Sequence, residues 1–314
     1  MSPALDVVFD PAAAYPDIAV LSTALARRDW PACRTLLDAV STADRTALIL
    51  TCAEGRDLEG FLRPVVEADP YDGAAAALLG AHLITLGWEI RTSAWAKDVT
   101  PAQWAGFRAY LCRAEQVLID AAAYQPADPA IWTVRMLSAR GLSLGIDEIR
   151  RRHQRLDAVA PHHLPGQMEL ASSLEPKWSG SWPELHAFAR EAALAAPAGS
   201  PHGLLVVEAF FAHFRTATDE AEKARVYHDP ALRDALYAAA HHSVLHPQFR
   251  RAYGWVRACG NYAALFSILE DRPNAARMFT MLGPLGTVDP WSESEQESAV
   301  KIRQAREWAY GGTL

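Results

Sequence analysis

Three groups of side chains in this sequence have types and spacings suited to chemistry. The first is Trp88, Glu89, Arg91 and Trp95, then Arg140, then Lys177 and Trp178. Guanidinium and ammonium groups bind carboxylate or phosphate, and indole faces stack on flat or cationic groups. If folding brings these residues together, they make a site for a peptide, a protein segment or a small anionic ligand. The competing reading is structural: an aromatic clasp, with Glu89 paired to Arg91 or Arg140 and the long side-chain stems covering apolar surface.

The second group centres on Glu208, which stands alone inside the apolar run LLVVEAFFAHF with His213 nearby. A carboxylate on so apolar a helix must pair with a cation or suffer a raised pKa, the condition that makes a general acid or base. Glu89, Glu208 and His213 are therefore the candidates for catalysis, with Arg91 or Arg140 as cationic partners. A structural ion pair explains Glu208 equally well. His82, in AAAALLGAHLITLG, poses the same question more weakly and reads as a core histidine.

The third group is His241, His242 and His246, with His213 and His228 upstream. His242 and His246, four apart, would share one face of a helix as zinc ligands do. Pro247 opposes this, because the residue before a proline avoids helical geometry. No HExxH accompanies them, so they read as helix-terminal histidines. Metal binding through His213, His242 and His246 stays a second alternative, and no metal or cofactor is assigned. The sequence has no GxSxG, no glycine-rich phosphate loop and no cysteine signature.

The elements that must position these residues are helical throughout. Half of the 314 residues are apolar, enough for a substantial core in one elongated domain or two compact ones. Thirty basic against 37 acidic residues give a net charge of −7 with no dense basic run, which argues against nucleic acid. Cys33, Cys52, Cys112 and Cys259 form no CxxC pair, so neither a zinc framework nor a disulfide scaffold is indicated. The first residues lack a basic start followed by an apolar run, and no later segment reads as apolar for the length of a bilayer. These features predict a cytoplasmic protein without membrane contact.

Residues 1–17, with Pro3, Pro11 and Pro16, read as an irregular arm, and residues 18–314 as a single helical domain. Asp29, Asp69-Pro70, Thr100-Pro101, Asp128-Pro129, Ser181, Ser200-Pro201, Asp229-Pro230, His246-Pro247 and Asp271 read as helix starts. Thr100 with Gln103 and Ser181 with Glu184 have capping-box spacing. Gly55, Gly141, Gly145 and Gly283 read as stops. Residues 88–99 predict a loop, opening an insertion over about 88–125 that contains Trp104 and lies outside any repeat period. Ser292 predicts the start of a charged amphipathic helix over 293–310, which caps the domain or docks on a second copy in a homodimer.

Leu79, Gly80, Leu83 and Gly87 fall at the spacing of a tetratricopeptide first helix, and Trp132 stands at the repeat's large aromatic position. Residues 88–91, Pro129 to Trp132 with 139–141, 176–181 running on to 188–190, His246-Pro247 and 289–291 together resemble a group of uncharacterised bacterial tetratricopeptide-like (TPR-like) proteins. The resemblance spans roughly residues 70–291. It implies an α-solenoid and no catalytic residues, although Glu148, Arg152 and Arg155 occupy packing positions of the repeat. The expectation is an all-α solenoid of about seven TPR-like hairpins, binding a partner in a concave groove without chemistry of its own. The alternative is a biosynthetic-pathway enzyme with an acid-base site in that groove.

Overall fold

The computed structural model describes residues 6–312. Among them it contains sixteen α-helices and no β-strand, so the all-α class read from the sequence holds. Pro3 lies outside the described residues. Most helix starts follow from local chemistry: the side chains of Asp29, Thr100, Asp128, Ser181, Asp229 and Asp271 each accept a hydrogen bond from a first-turn amide. At Thr100 the capping box with Gln103 is complete.

Six boundaries differ from the sequence reading. Ser200-Pro201 lies in a turn, and the helix after it starts only at Gly203, behind His202. Gly145 stands at the start of the helix Ile146–Val159 rather than as a stop. Asp72, not Asp69-Pro70, caps the long helix after it. His246-Pro247 opens no helix, and the next one starts only at Trp255, behind Gly254 in the left-handed region. The helix Glu220–His228 has no proline start and a polar sequence, and was not anticipated. The last helix runs Glu295–Ala309 behind Ser294 rather than Ser292, whose hydroxyl donates to the Ser294 carbonyl instead.

The chain divides into two compact units, Pro16–Gly180 and the pairing of residues up to Tyr15 with Ser181–Leu314. The Pro16–Gly180 unit holds nine helices: α1 (Pro16–Ala26), α2 (Trp30–Ala39), α3 (Thr42–Cys52), α4 (Glu59–Ala68), α5 (Gly73–Arg91), α6 (Pro101–Tyr124), α7 (Pro129–Gly141), α8 (Ile146–Val159) and α9 (Leu164–Ser173). The hairpin of α5 and α6 is its centre. Gly80 and Gly87 of α5 face Leu118 and Leu111 of α6, and a Cβ on either glycine would come within 2.8 and 2.7 Å of those leucines. Seven-residue steps running in opposite directions are what two antiparallel helices need to meet twice on one stripe. By length and composition α5 is apolar enough to cross a bilayer, which the sequence reading had denied to every segment. It is nonetheless packed by α4, α6 and α7, and 72% of its apolar window is buried. Of the segment 88–125, only 92–100 is irregular; residues 88–91 are the last turn of α5.

Buried polar side chains tie the helix ends of this unit together. Asp72, capping α5, also accepts from Trp30 Nε1 at 2.7 Å and Arg34 Nη1 at 2.9 Å. Asp128, capping α7, accepts from Arg45 Nη2 at 2.6 Å. Both caps are buried, so the guanidiniums satisfy carboxylates that would otherwise be stranded.

The other unit contains α10 (Trp182–Ala195), α11 (Gly203–Thr216), α12 (Glu220–His228), α13 (Pro230–His242), α14 (Trp255–Ile268), α15 (Arg272–Leu282) and α16 (Glu295–Ala309). Its first strip of chain, residues 6–15, is held by main-chain bonds from Val8 to Pro284 and from Gly286 to Val8. Tyr15 stacks on Tyr253 with ring centres 4.7 Å apart. Its hydroxyl accepts from the amides of Gly254 and Val256 at 3.1 and 3.3 Å. Tyr15 thus caps α14, whose own N-cap residue has no side chain to do so.

Candidate functional site

The structure brings most of the first sequence-chosen group together, in the Pro16–Gly180 unit. The Arg91 guanidinium lies 5.2 Å from the Trp88 ring centre and 5.0 Å from that of Trp104. It donates to the carbonyls of Thr92 and Ala94. Trp88 packs edge-on to Trp178 and tilted against Phe107. Arg140 sits 5.8 Å from the Trp178 ring and 3.0 Å from a carboxylate oxygen of Glu169. Lys177 pairs with Glu175 at 2.9 Å. Arg140 and Lys177 are matched to carboxylates, while Arg91 is held between two indole rings and two carbonyls. Glu89 is exposed and pairs with neither Arg91 nor Arg140 among the described contacts. Trp95 is 80% exposed and stands apart from the cluster. The arrangement is a clasp that fixes the end of α5 to the start of α6 and to the Pro176–Trp178 turn.

Glu208, on α11, forms an ion pair with Arg257 of α14. Burial pushes its carboxyl above the usual carboxylate range; Arg257 pulls it down, and Asp289 pushes it up again. Asp289 is itself paired to Arg215. His213 lies stacked under Trp182, ring centres 4.5 Å apart, and its Nδ1 is 3.0 Å from Nε2 of His186. Burial, reinforced by His213, lowers the His186 pKa to about 4, and burial also lowers that of His213. His242 Nε2 bonds the Ala196 carbonyl at 2.8 Å, and His246 Nδ1 accepts from the Gln248 amide at 3.2 Å. His213, His242 and His246 therefore have three separate sets of partners. Among the described residues no group of three or more His, Cys, Asp or Glu side chains is placed to hold a metal ion. His82 Nδ1 meets the Ala53 carbonyl at 2.8 Å, as a core histidine does.

Two features escaped the sequence. One is a buried charge network on α6, α7 and α8. Glu115 takes both Arg152 nitrogens, Nη2 at 2.8 Å and Nη1 at 2.9 Å, with Arg135 at 2.9 Å and the Ser138 hydroxyl. Arg152 Nε also reaches Glu148 at 2.6 Å. Burial alone would raise the Glu115 pKa, but the hydrogen bonds from Arg152 and Ser138 outweigh it and the net shift is downward. Of the charged residues of α8 that departed from the repeat pattern, Glu148 and Arg152 thus hold three helices together, while Arg155 is exposed. A signal was present: Arg152 lies with Ile149 and Leu156 on the buried stripe of α8.

The other is a groove between α4 and α6, floored by Ala76 and Leu79 of α5, with a volume of about 780 Å³. Glu59 in the first turn of α4 accepts from both Arg63 and Arg113, and Pro70 beyond the end of α4 lines the same groove as Tyr124. The helices α4 and α6 therefore run in the same direction along its walls, with α5 running against both. The lining combines Val66 and Val117 with Arg63, Arg113, Glu67 and Asp120. Tyr124 is 47% exposed and meets Tyr71, 61% exposed, edge to face at 5.0 Å. Nothing in the spacing of the sequence announces this groove, because its walls lie some fifty residues apart.

Compared with family models, with curated proteins and with solved structures, the chain finds no match.

Proposed function

We propose that this protein is a non-catalytic interaction protein that holds an extended peptide segment of a partner in the groove between α4 and α6. The groove carries the proposal: it is open, within the volume range of ligand sites, floored by apolar residues and walled by charged and aromatic ones. From Arg113 to Tyr124 it follows eleven residues of α6, roughly 16 Å at helical rise, the span of about five residues of extended chain. Consecutive antiparallel helices from α4 to α7, closely approached at Gly80 and Gly87, favour a stack of TPR-like hairpins as the scaffold. The engaged cations around Trp88 and the Glu208–Arg257 pair favour binding over catalysis, since neither leaves a free group poised for a reaction.

The test is selection from a displayed library of random twelve-residue peptides on the intact protein, followed by titration of the selected peptides against two variants. Ala123→Trp, which fills the groove from an exposed wall position, is expected to weaken them at least tenfold. Trp95→Ala, outside the groove, is expected to leave them unchanged. Selected peptides that bind the Ala123→Trp protein undiminished would place the interaction elsewhere.

A further inference from the structure

The two ends of this groove differ in charge, and the difference specifies what it takes. At one end Arg63 and Arg113 share the single carboxylate of Glu59, which leaves one positive charge in excess. At the other, Glu67 and Asp120 are exposed and no other described side chain neutralises them. Beside them stands the exposed ring of Tyr124, whose face attracts a cation. The seven residues of α6 from Arg113 to Asp120 separate the two ends by about 10 Å, and the four of α4 from Arg63 to Glu67 by about 6 Å.

We infer that the partner segment carries a cation and an anion about 6–10 Å apart, the cation seated at Glu67, Asp120 and Tyr124 and the anion at Arg63 and Arg113. This rests on the groove being the binding site. A guanidinium or ammonium satisfies the two open carboxylates and packs on the tyrosine ring. A carboxylate takes the guanidinium donors that Glu59 leaves unused, since one carboxylate cannot saturate two guanidiniums. In a polyproline II segment, at about 3.1 Å per residue, a basic and an acidic residue three positions apart lie on the same side about 9 Å from each other. A segment of one charge sign meets attraction at one end and repulsion at the other, so the groove rejects it.

The experiment repeats the peptide selection on three forms of the full chain: wild type, Glu67→Lys/Asp120→Lys and Ala123→Trp, with thermal melts confirming that each is folded. Wild type is expected to enrich peptides with one basic and one acidic residue three to four positions apart. The double lysine variant is expected to exchange the basic residue for a second acidic one. Replacing the basic residue of a selected peptide by alanine should weaken it about three- to fivefold at low salt, and less at high salt. If groove-dependent peptides show no charge pattern, or the lysine variant selects the same pool, the charge assignment is wrong and the groove reading stands. If no pool depends on Ala123, both fall together.

Discussion

Glu208 is pushed up by burial and pulled down by Arg257, and the first effect wins. An acid whose folded pKa is raised holds its proton more tightly when folded, so its charge costs stability above that pKa and the cost disappears as pH falls through it. Glu208→Gln is therefore expected to melt no lower than wild type at neutral pH, with the two proteins converging in acid; a lower melting temperature at neutral pH would mean that the ion pair outweighs burial. Arg91 makes the opposite case. It is matched to two indoles and two carbonyls, contacts worth together about 2 kcal/mol. Arg91→Ala should speed amide hydrogen exchange across residues 92–100 roughly 30-fold and leave α3 unchanged. Trp88, Arg91, Arg140 and Trp178 were legible in the sequence as residues that belong together. Their role was not, because whether a cation is open or matched depends on Glu169 and on carbonyls that only the fold brings near.

Among the elements, α6, α7 and α8 are locked by one carboxylate. Arg152→Met removes the two-pronged partner of Glu115 and leaves a buried charge undercompensated, a loss of about 3–5 kcal/mol expected in urea unfolding. The same network sets an acid limit. The hydrogen bond from Arg151 is the largest influence on Glu148; together with the smaller one from Arg152 it outweighs burial, which ranks between them, and lowers the pKa from 4.5 to about 2, and Glu115 is lowered as well. An acid whose pKa falls on folding contributes stability above its unfolded value and gives it up as pH drops through the folded one. The melting temperature should therefore decline between about pH 4.5 and 2, and an Arg151→Ala variant should show a shallower decline. The α5–α6 contact gives a third test: Gly80→Ala forces Leu118 to move and is expected to cost about 1–3 kcal/mol despite the better helix propensity of alanine. Helix existence was legible from caps and apolar spacing. Partner choice was legible only where small residues recur at seven, as at Gly80 and Gly87; the Glu115 network joins residues up to 37 positions apart and leaves no local period.

For the molecule as a whole, the division into Pro16–Gly180 and a unit made from two separate stretches of chain has no counterpart in the sequence, since Pro16 and Ser181 differ little from other helix starts. The proline-rich opening read as an arm because its spacing fits no helix. What it packs against was hidden, as Tyr15 meets Val256 across 241 positions. Tyr15→Phe should lower stability by about 1 kcal/mol, the usual value of a lost helix cap, measured by urea unfolding of the intact protein. Burial raises the Tyr15 hydroxyl to about pKa 12, so it stays a neutral acceptor for both amides at any ordinary pH. The same tyrosine imposes an order on biosynthesis. At roughly 5–20 residues per second, a ribosome needs about 12 to 50 s to travel from Tyr15 to Val256. Before that interval ends Pro16–Gly180 has been made and is able to close, while the ring that will seal α14 waits in the nascent chain without its partner.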